Sequence, residues 1–132
     1  MAEMLAADVF VLASHAEPMG VVYMEAMSTE IPTIGTNAGG VPEMIDDGVN
    51  GLLVPPNAPE ALADALHRLA AQPQLRLALG RAARRKILAE FDSRLWASEL
   101  YRRLTGQAPP ENAAAALPLP AGSAALAARA SA

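Results

Sequence analysis

The chain has 132 residues, 52% of them hydrophobic, 18% charged and 4% aromatic, with a net charge of −4; this suits one small, helix-rich globular domain and excludes a disordered protein. The absence of cysteine excludes a disulfide scaffold, a thiolate metal site and a cysteine nucleophile, and no apolar run approaches the roughly 20 residues that span a bilayer. Charge is segregated: residues 1–67 hold ten carboxylates and no Lys or Arg, and all ten basic side chains lie from Arg68 onward.

The first residues lack a basic region ahead of an apolar stretch, so no secretory leader is expected and the cytoplasm is the expected location. Residues 8–13, Asp-Val-Phe-Val-Leu-Ala, are an apolar run rich in β-formers and predict a buried parallel strand. A loop containing Pro18 follows, and residues 20–28, free of helix breakers, predict a short, mostly buried helix with Met24 and Met27 as core fillers. A second strand is expected at 32–36, with Pro32 at its first position, where a missing N–H is tolerated. After a loop at 37–40, residues 41–46 allow a turn or two of helix. Asp47-Gly48 and Asn50-Gly51 are turn signals before a third strand at 51–55.

Helices follow. Asn57 with Glu60 three residues on resembles a capping box, and Leu62, Leu66 and Leu69 recur on one face behind it. Pro73 restarts the chain, and Leu75, Leu79, Ala83, Ile87 and Phe91 repeat every four residues. A last helix at 93–104 ends with Arg102 and Arg103, a favourable end for positive charge. From Thr105 the final 28 residues include twelve alanines and four prolines, so the domain is expected to span 1–104 and a disordered tail 105–132.

Strand–helix alternation predicts an α/β fold, a partial doubly wound, Rossmann-like parallel sheet of about three strands followed by C-terminal helices. Ligands in such folds sit beyond the carboxyl ends of the strands, so the loops at 14–20 and 37–41 should line one crevice. Arg81, Arg84, Arg85 and Lys86 cluster without interleaved aromatics, the pattern of a solvated helix face, and no nucleic-acid partner is expected. His15 and His67 are too far apart to make a metal site. His67 falls on the polar side of its helix, and His15 reads as a loop residue that could also donate to a sugar hydroxyl.

Glu17 and Glu25 stand eight positions apart, the first in the loop and the second about 7.5 Å along a helix that starts at Gly20. Between them the backbone N–H groups of Met19, Gly20 and Val21 should point free from the helix N-terminus, a natural seat for phosphate, with Gly20 allowing close approach. Two carboxylates beside a phosphate repel it unless each accepts hydrogen bonds from hydroxyls, as a ribose diol and a sugar ring offer. A diphosphate between a ribose and a hexose is a nucleotide sugar.

The segment Glu17-Pro-Met-Gly-(four residues)-Glu25-Ala-Met resembles the E-x7-E motif of retaining family 4 (group 1) glycosyltransferases of GT-B fold. Residues 31–45, with Gly39-Gly40-Val-Pro-Glu43, resemble the family's GG-x-PE loop. Residues 47–55 resemble its D-G-x-N-G-x-L-V-P turn and strand, and Phe91-Asp-Ser-Arg-Leu-Trp96 is similar to the start of its last helix. The resemblance implies Glu17 as the catalytic residue facing the transferred sugar near its anomeric carbon. It implies Glu25 on the donor ribose, with Met19, Gly20, Val21, Gly39 and Gly40 as further donor-binding positions; Gly39 and Gly40 read equally as turn glycines. It further implies a metal-independent transferase without cofactor, taking a hexose from a nucleotide-diphosphate sugar in polysaccharide biosynthesis. Glu43 fits a loop-fixing role better than catalysis. Met19 stands where the family favours phenylalanine, and Thr29-Glu30 replaces its usual pair before the proline.

The family's diphosphate-binding Arg and Lys, the first strands of its donor domain and its acceptor-binding N-terminal domain have no counterpart in the sequence. The expectation is therefore the C-terminal part of a donor-binding domain, inactive alone. Its acceptor, a glycan or lipid-linked molecule, would be held by the missing domain, through which alone a membrane would be reached. A non-catalytic nucleotide-sugar-binding subunit that needs a separate N-terminal half, and a remnant that binds nothing, stay open as alternatives.

Overall fold

The computed structural model describes residues 4, 6–18 and 20–108; Met19 and residues 109–132, most of the expected tail, lie outside that description. The chain divides into two units, residues 1–90 and 91–132. In the first, three strands, β1 (Phe10–Leu12), β2 (Thr33–Thr36) and β3 (Leu52–Val54), alternate with helices α1 (Val21–Ser28) and α2 (Val41–Met44). They lead to α3 (Pro59–Ala71) and α4 (Pro73–Glu90). The sheet is parallel throughout in the order β1-β2-β3, with Phe10 opposite Thr33 and Ile34 opposite Leu52. The second unit carries α5 (Ser93–Thr105), whose Asp92 caps it by accepting from the Arg94 N–H at 2.8 Å. Along α5, Leu100 and Leu104 are exposed.

The central strand explains its own sequence. All four residues of β2 are buried, as a strand flanked and covered on both faces requires. Ile34 joins Leu52, Val54, Leu69 and Leu79 in one core, with Val9, Val11 and Leu62 packed against it. The other face receives α1 through Tyr23, Ala26 and Met27, all fully buried. The fourfold repeat on α4 is real, with Leu79, Ala83 and Ile87 buried, whereas Leu66 of the α3 repeat is 40% exposed.

Two local readings are corrected. No capping box forms: the residue at the α3 N-cap is Ala58, without a side-chain cap, and Asn57 takes φ 58. Asn57 tolerates that left-handed geometry, and Pro59 occupies the first turn, so the polar side chain falls one position early. Ala58→Asp is therefore expected to stabilise the first unit by about 1 kcal/mol, read as a rise of about 4–8 °C in its thermal midpoint.

The basic cluster on α4 is also not uniformly solvated. Arg84 Nη1 donates to the Ser28 carbonyl at 3.0 Å, near the end of α1, and its Nε lies 3.9 Å from Glu30. Lys86 pairs with Asp46 at 2.8 Å. Arg81 and Arg85 remain exposed. The long side chains reach across to carbonyl and carboxylate oxygens that a helical wheel cannot show.

Candidate functional site

At the carboxyl end of β1 the chain leaves the sheet and, after eight intervening residues, enters α1. Two buried hydroxyls hold the departure point. Tyr23 donates to the Leu12 carbonyl at 2.5 Å, and Thr36 Oγ1 donates to the Ser14 carbonyl at 2.6 Å. Burial raises the Tyr23 phenol above its ordinary pKa of 10.0, and the Glu17 charge pushes the same way against the opposing Ser14 hydroxyl and Thr36 backbone. The Ser14 hydroxyl lies beside that phenol but outside hydrogen-bonding geometry with any described group.

Glu17 is half-buried, and its Oε1 accepts from the Gly20 N–H at 3.1 Å. The Gly20 N–H expected to be free is thus taken by a carboxylate from the same loop. Negative charge belongs there, because it meets the positive end of the α1 dipole and an orphan donor. Gly20 adopts φ 54, and a Cβ on it would stand 2.6 Å from both Met44 Cε and Tyr23 Cδ2. Position 20 has room for glycine alone.

The second loop meets the first directly. The Gly40 N–H donates to the Glu17 carbonyl at 2.9 Å. A Cβ on Gly39 would lie 2.7 Å from the Glu17 carbonyl oxygen, and one on Gly40 would lie 2.5 Å from that of Pro18. The glycine pair therefore does more than turn the chain, since it lets the loop at 37–40 rest against the backbone that presents Glu17. The Glu43 N–H donates to the Gly40 carbonyl at 3.1 Å, and the Glu43 side chain is exposed.

Glu17, Gly20, Gly39 and Gly40 are thus gathered in one place. Val21 and Glu25 share the exposed side of α1, about 6 Å apart along its axis, and the Glu25 carboxylate has no partner among the described residues. Met19 lies outside the described residues. His15 is exposed beside a cleft of about 200 Å³ at the carboxyl ends of the strands, lined also by Thr36, Pro55, Asn57, Pro59 and Leu62. Arg84 and Lys86 are committed to Ser28, Glu30 and Asp46. Among the described residues no group of three or more His, Asp or Glu is disposed to hold a metal ion, and no helix is long and apolar enough to cross a membrane.

The sequence reading missed Tyr23 and Thr36. Tyr23 falls on the buried face of a short helix and Thr36 ends a buried strand. A hydroxyl in such a place must find a partner, which is the signal that could have singled them out.

Residues 1–86 match the family described as glycosyl transferases group 1. A D-inositol 3-phosphate glycosyltransferase of Saccharomonospora viridis is 46% identical over 79 residues, which is 60% of this chain and 18% of that protein. An alpha-maltose-1-phosphate synthase of Mycobacterium tuberculosis is 38% identical over 111 residues, 75% of this chain and 28% of that protein. Among solved structures, Anabaena Alr3699/HepE in complex with UDP superposes with a TM-score of 0.76 at 27% identity, over 80% of this chain and 29% of that one. The chain spans less than a third of the length of each of these three relatives.

Proposed function

The chain belongs to the group 1 glycosyl transferases, and from that premise we propose that residues 14–41 form the donor side of a retaining hexosyl transfer from a nucleotide-diphosphate sugar. The observation that carries this reading is the seating of Glu17 on the Gly20 N–H at the start of α1, with Glu25 unpartnered on the exposed side of the same helix. Glu25 accepts hydrogen bonds from the ribose diol. The backbone at Met19 and Val21 receives diphosphate and sugar oxygens, joined by the Gly20 N–H when the Glu17 carboxylate turns from it toward the transferred ring. As the bond from the anomeric carbon to the diphosphate oxygen breaks and the bond to the acceptor oxygen forms, with the acceptor hydroxyl's proton passing to the leaving diphosphate oxygen, positive charge grows on the ring beside Glu17. Negative charge grows on the leaving diphosphate beside the helix N-terminus. Both are stabilised where they arise. UDP, the nucleotide of the Anabaena complex, supports the donor class, and transfer proceeds without a bound metal.

A diphosphate carries about two negative charges against about half a positive one from a helix end. Arg84 and Lys86 are held away from this helix N-terminus, by Ser28 at the far end of α1 and by Asp46 ahead of β3. The remaining cations and the acceptor site are therefore assigned to a partner half. The 132-residue chain alone is expected to give no transfer from UDP- or GDP-sugars, in an assay for labelled product or nucleotide release; turnover by the purified chain would overturn this. A second reading, a non-catalytic donor-binding subunit, is favoured by the same shortage of cations. It is separated from the first by whether the chain joined to an N-terminal half transfers a sugar with retention or only binds the donor.

A further inference from the structure

We propose that Tyr23 and Thr36 are positioning residues that hold the stem of the loop presenting Glu17; the inference rests on the donor-site reading above. Tyr23 is fully buried, and Thr36, 3% exposed in the wall of the cleft, spends its hydroxyl proton on the Ser14 carbonyl. The core does not require these hydroxyls. The Tyr23 ring packs edge-on to Phe10 with centroids 5.8 Å apart, a contact phenylalanine would also make, and valine would fill the volume of Thr36.

What the hydroxyls add is aimed at one stretch of backbone. They grip the Leu12 and Ser14 carbonyls from α1 and β2, where β1 leaves the sheet. Three residues beyond Ser14, the Glu17 carbonyl takes the Gly40 N–H and its carboxylate takes the Gly20 N–H. The loop is thus fixed at its root, its middle and its return. Glu17 sits on a segment of irregular backbone, and a side chain on such a segment keeps its geometry only when the supporting contacts over-determine it. Without the root contacts, Glu17 would sample positions away from the reacting carbon, at a steep cost in rate.

The test is hydrogen exchange of the full chain, comparing Tyr23→Phe and Thr36→Val with the parent. The readout is the exchange rate of the Gly20 and Gly40 amides relative to that of the Ile34 amide in the core. A positioning role predicts that this ratio rises about tenfold in each variant, the loss of one hydrogen bond felt locally, and that UDP-glucose binds several-fold more weakly. An unchanged ratio in both variants, or loop and core rates that rise together, would overturn the proposal, because a purely structural role moves the whole domain. If the ratio rises but the parent chain shows no binding of UDP-glucose, the loop clamp stands and the donor reading falls.

Discussion

Gly80→Ala is expected to destabilise the first unit by about 3 kcal/mol, lowering its thermal midpoint by about 12–24 °C in a calorimetric scan. On an open helix face the same change would stabilise, since alanine is about 1 kcal/mol better than glycine within a helix. Here the sign reverses. A Cβ at position 80 would stand 2.0 Å from the Glu30 carbonyl oxygen and 2.8 Å from its carbon. Those are backbone atoms in the tight turn joining α1 to β2, where Glu30 already sits at φ 63. That turn has little freedom to yield, so α4 must lift away from α1 and weaken the Arg84–Ser28 hydrogen bond and the burial of Leu79 and Ala83. Overlap outweighs propensity, leaving a net loss of about 3 kcal/mol. A midpoint that is unchanged or higher would mean that α4 does not lie this close to the turn.

Glu17→Ala is expected to lower sugar transfer, in the chain joined to an acceptor-binding half, by about 10²–10³-fold, the scale of removing one group that stabilises transition-state charge. Binding should move the other way. In the free chain Glu17 occupies the Gly20 N–H, so its removal frees a donor at the helix N-terminus and deletes a negative charge beside the diphosphate. UDP is therefore expected to bind several-fold more tightly to this variant while turnover collapses. Glu17→Gln, which keeps an acceptor oxygen for Gly20 but not the charge, should lose transfer nearly as fully. Parallel losses of UDP affinity and rate would instead make Glu17 a simple binding residue.

The strands and helices were legible because each carries a local cause. Residues 8–13 are an apolar run, residues 32–36 carry β-branched Thr33, Ile34 and Thr36 behind an opening proline, and the Leu79–Ala83–Ile87 spacing marks a buried helical stripe. The cap of α3 was misread because a capping box depends on which residue leaves the helical geometry first, and Asn57 is drawn into a left-handed turn by its neighbours. Glu30 could be read only as a charge near a tight turn; its proximity to Arg84, 54 positions later in the chain, is set by the docking of α4 on α1. The glycine pair illustrates the same limit. Gly39-Gly40 announces a tight loop in any sequence, but that the loop rests on Glu17 and Pro18 follows from two strand ends lying side by side. Tyr23 and Thr36 escaped notice because their hydroxyls act on carbonyls, which carry no residue-specific signature.

The most direct test of the donor site is a titration of the isotope-labelled full chain with UDP-glucose, followed residue by residue in amide spectra for the parent and for Glu25→Ala. Saturable shifts are expected at Gly20, Val21, Glu25 and Gly40, with at least about tenfold weaker binding in the variant, as the loss of hydrogen bonds to a charged acceptor requires. Shifts that never saturate, that fall instead on α3 and α4, or that are indifferent to Glu25 would contradict a nucleotide-sugar site at the start of α1.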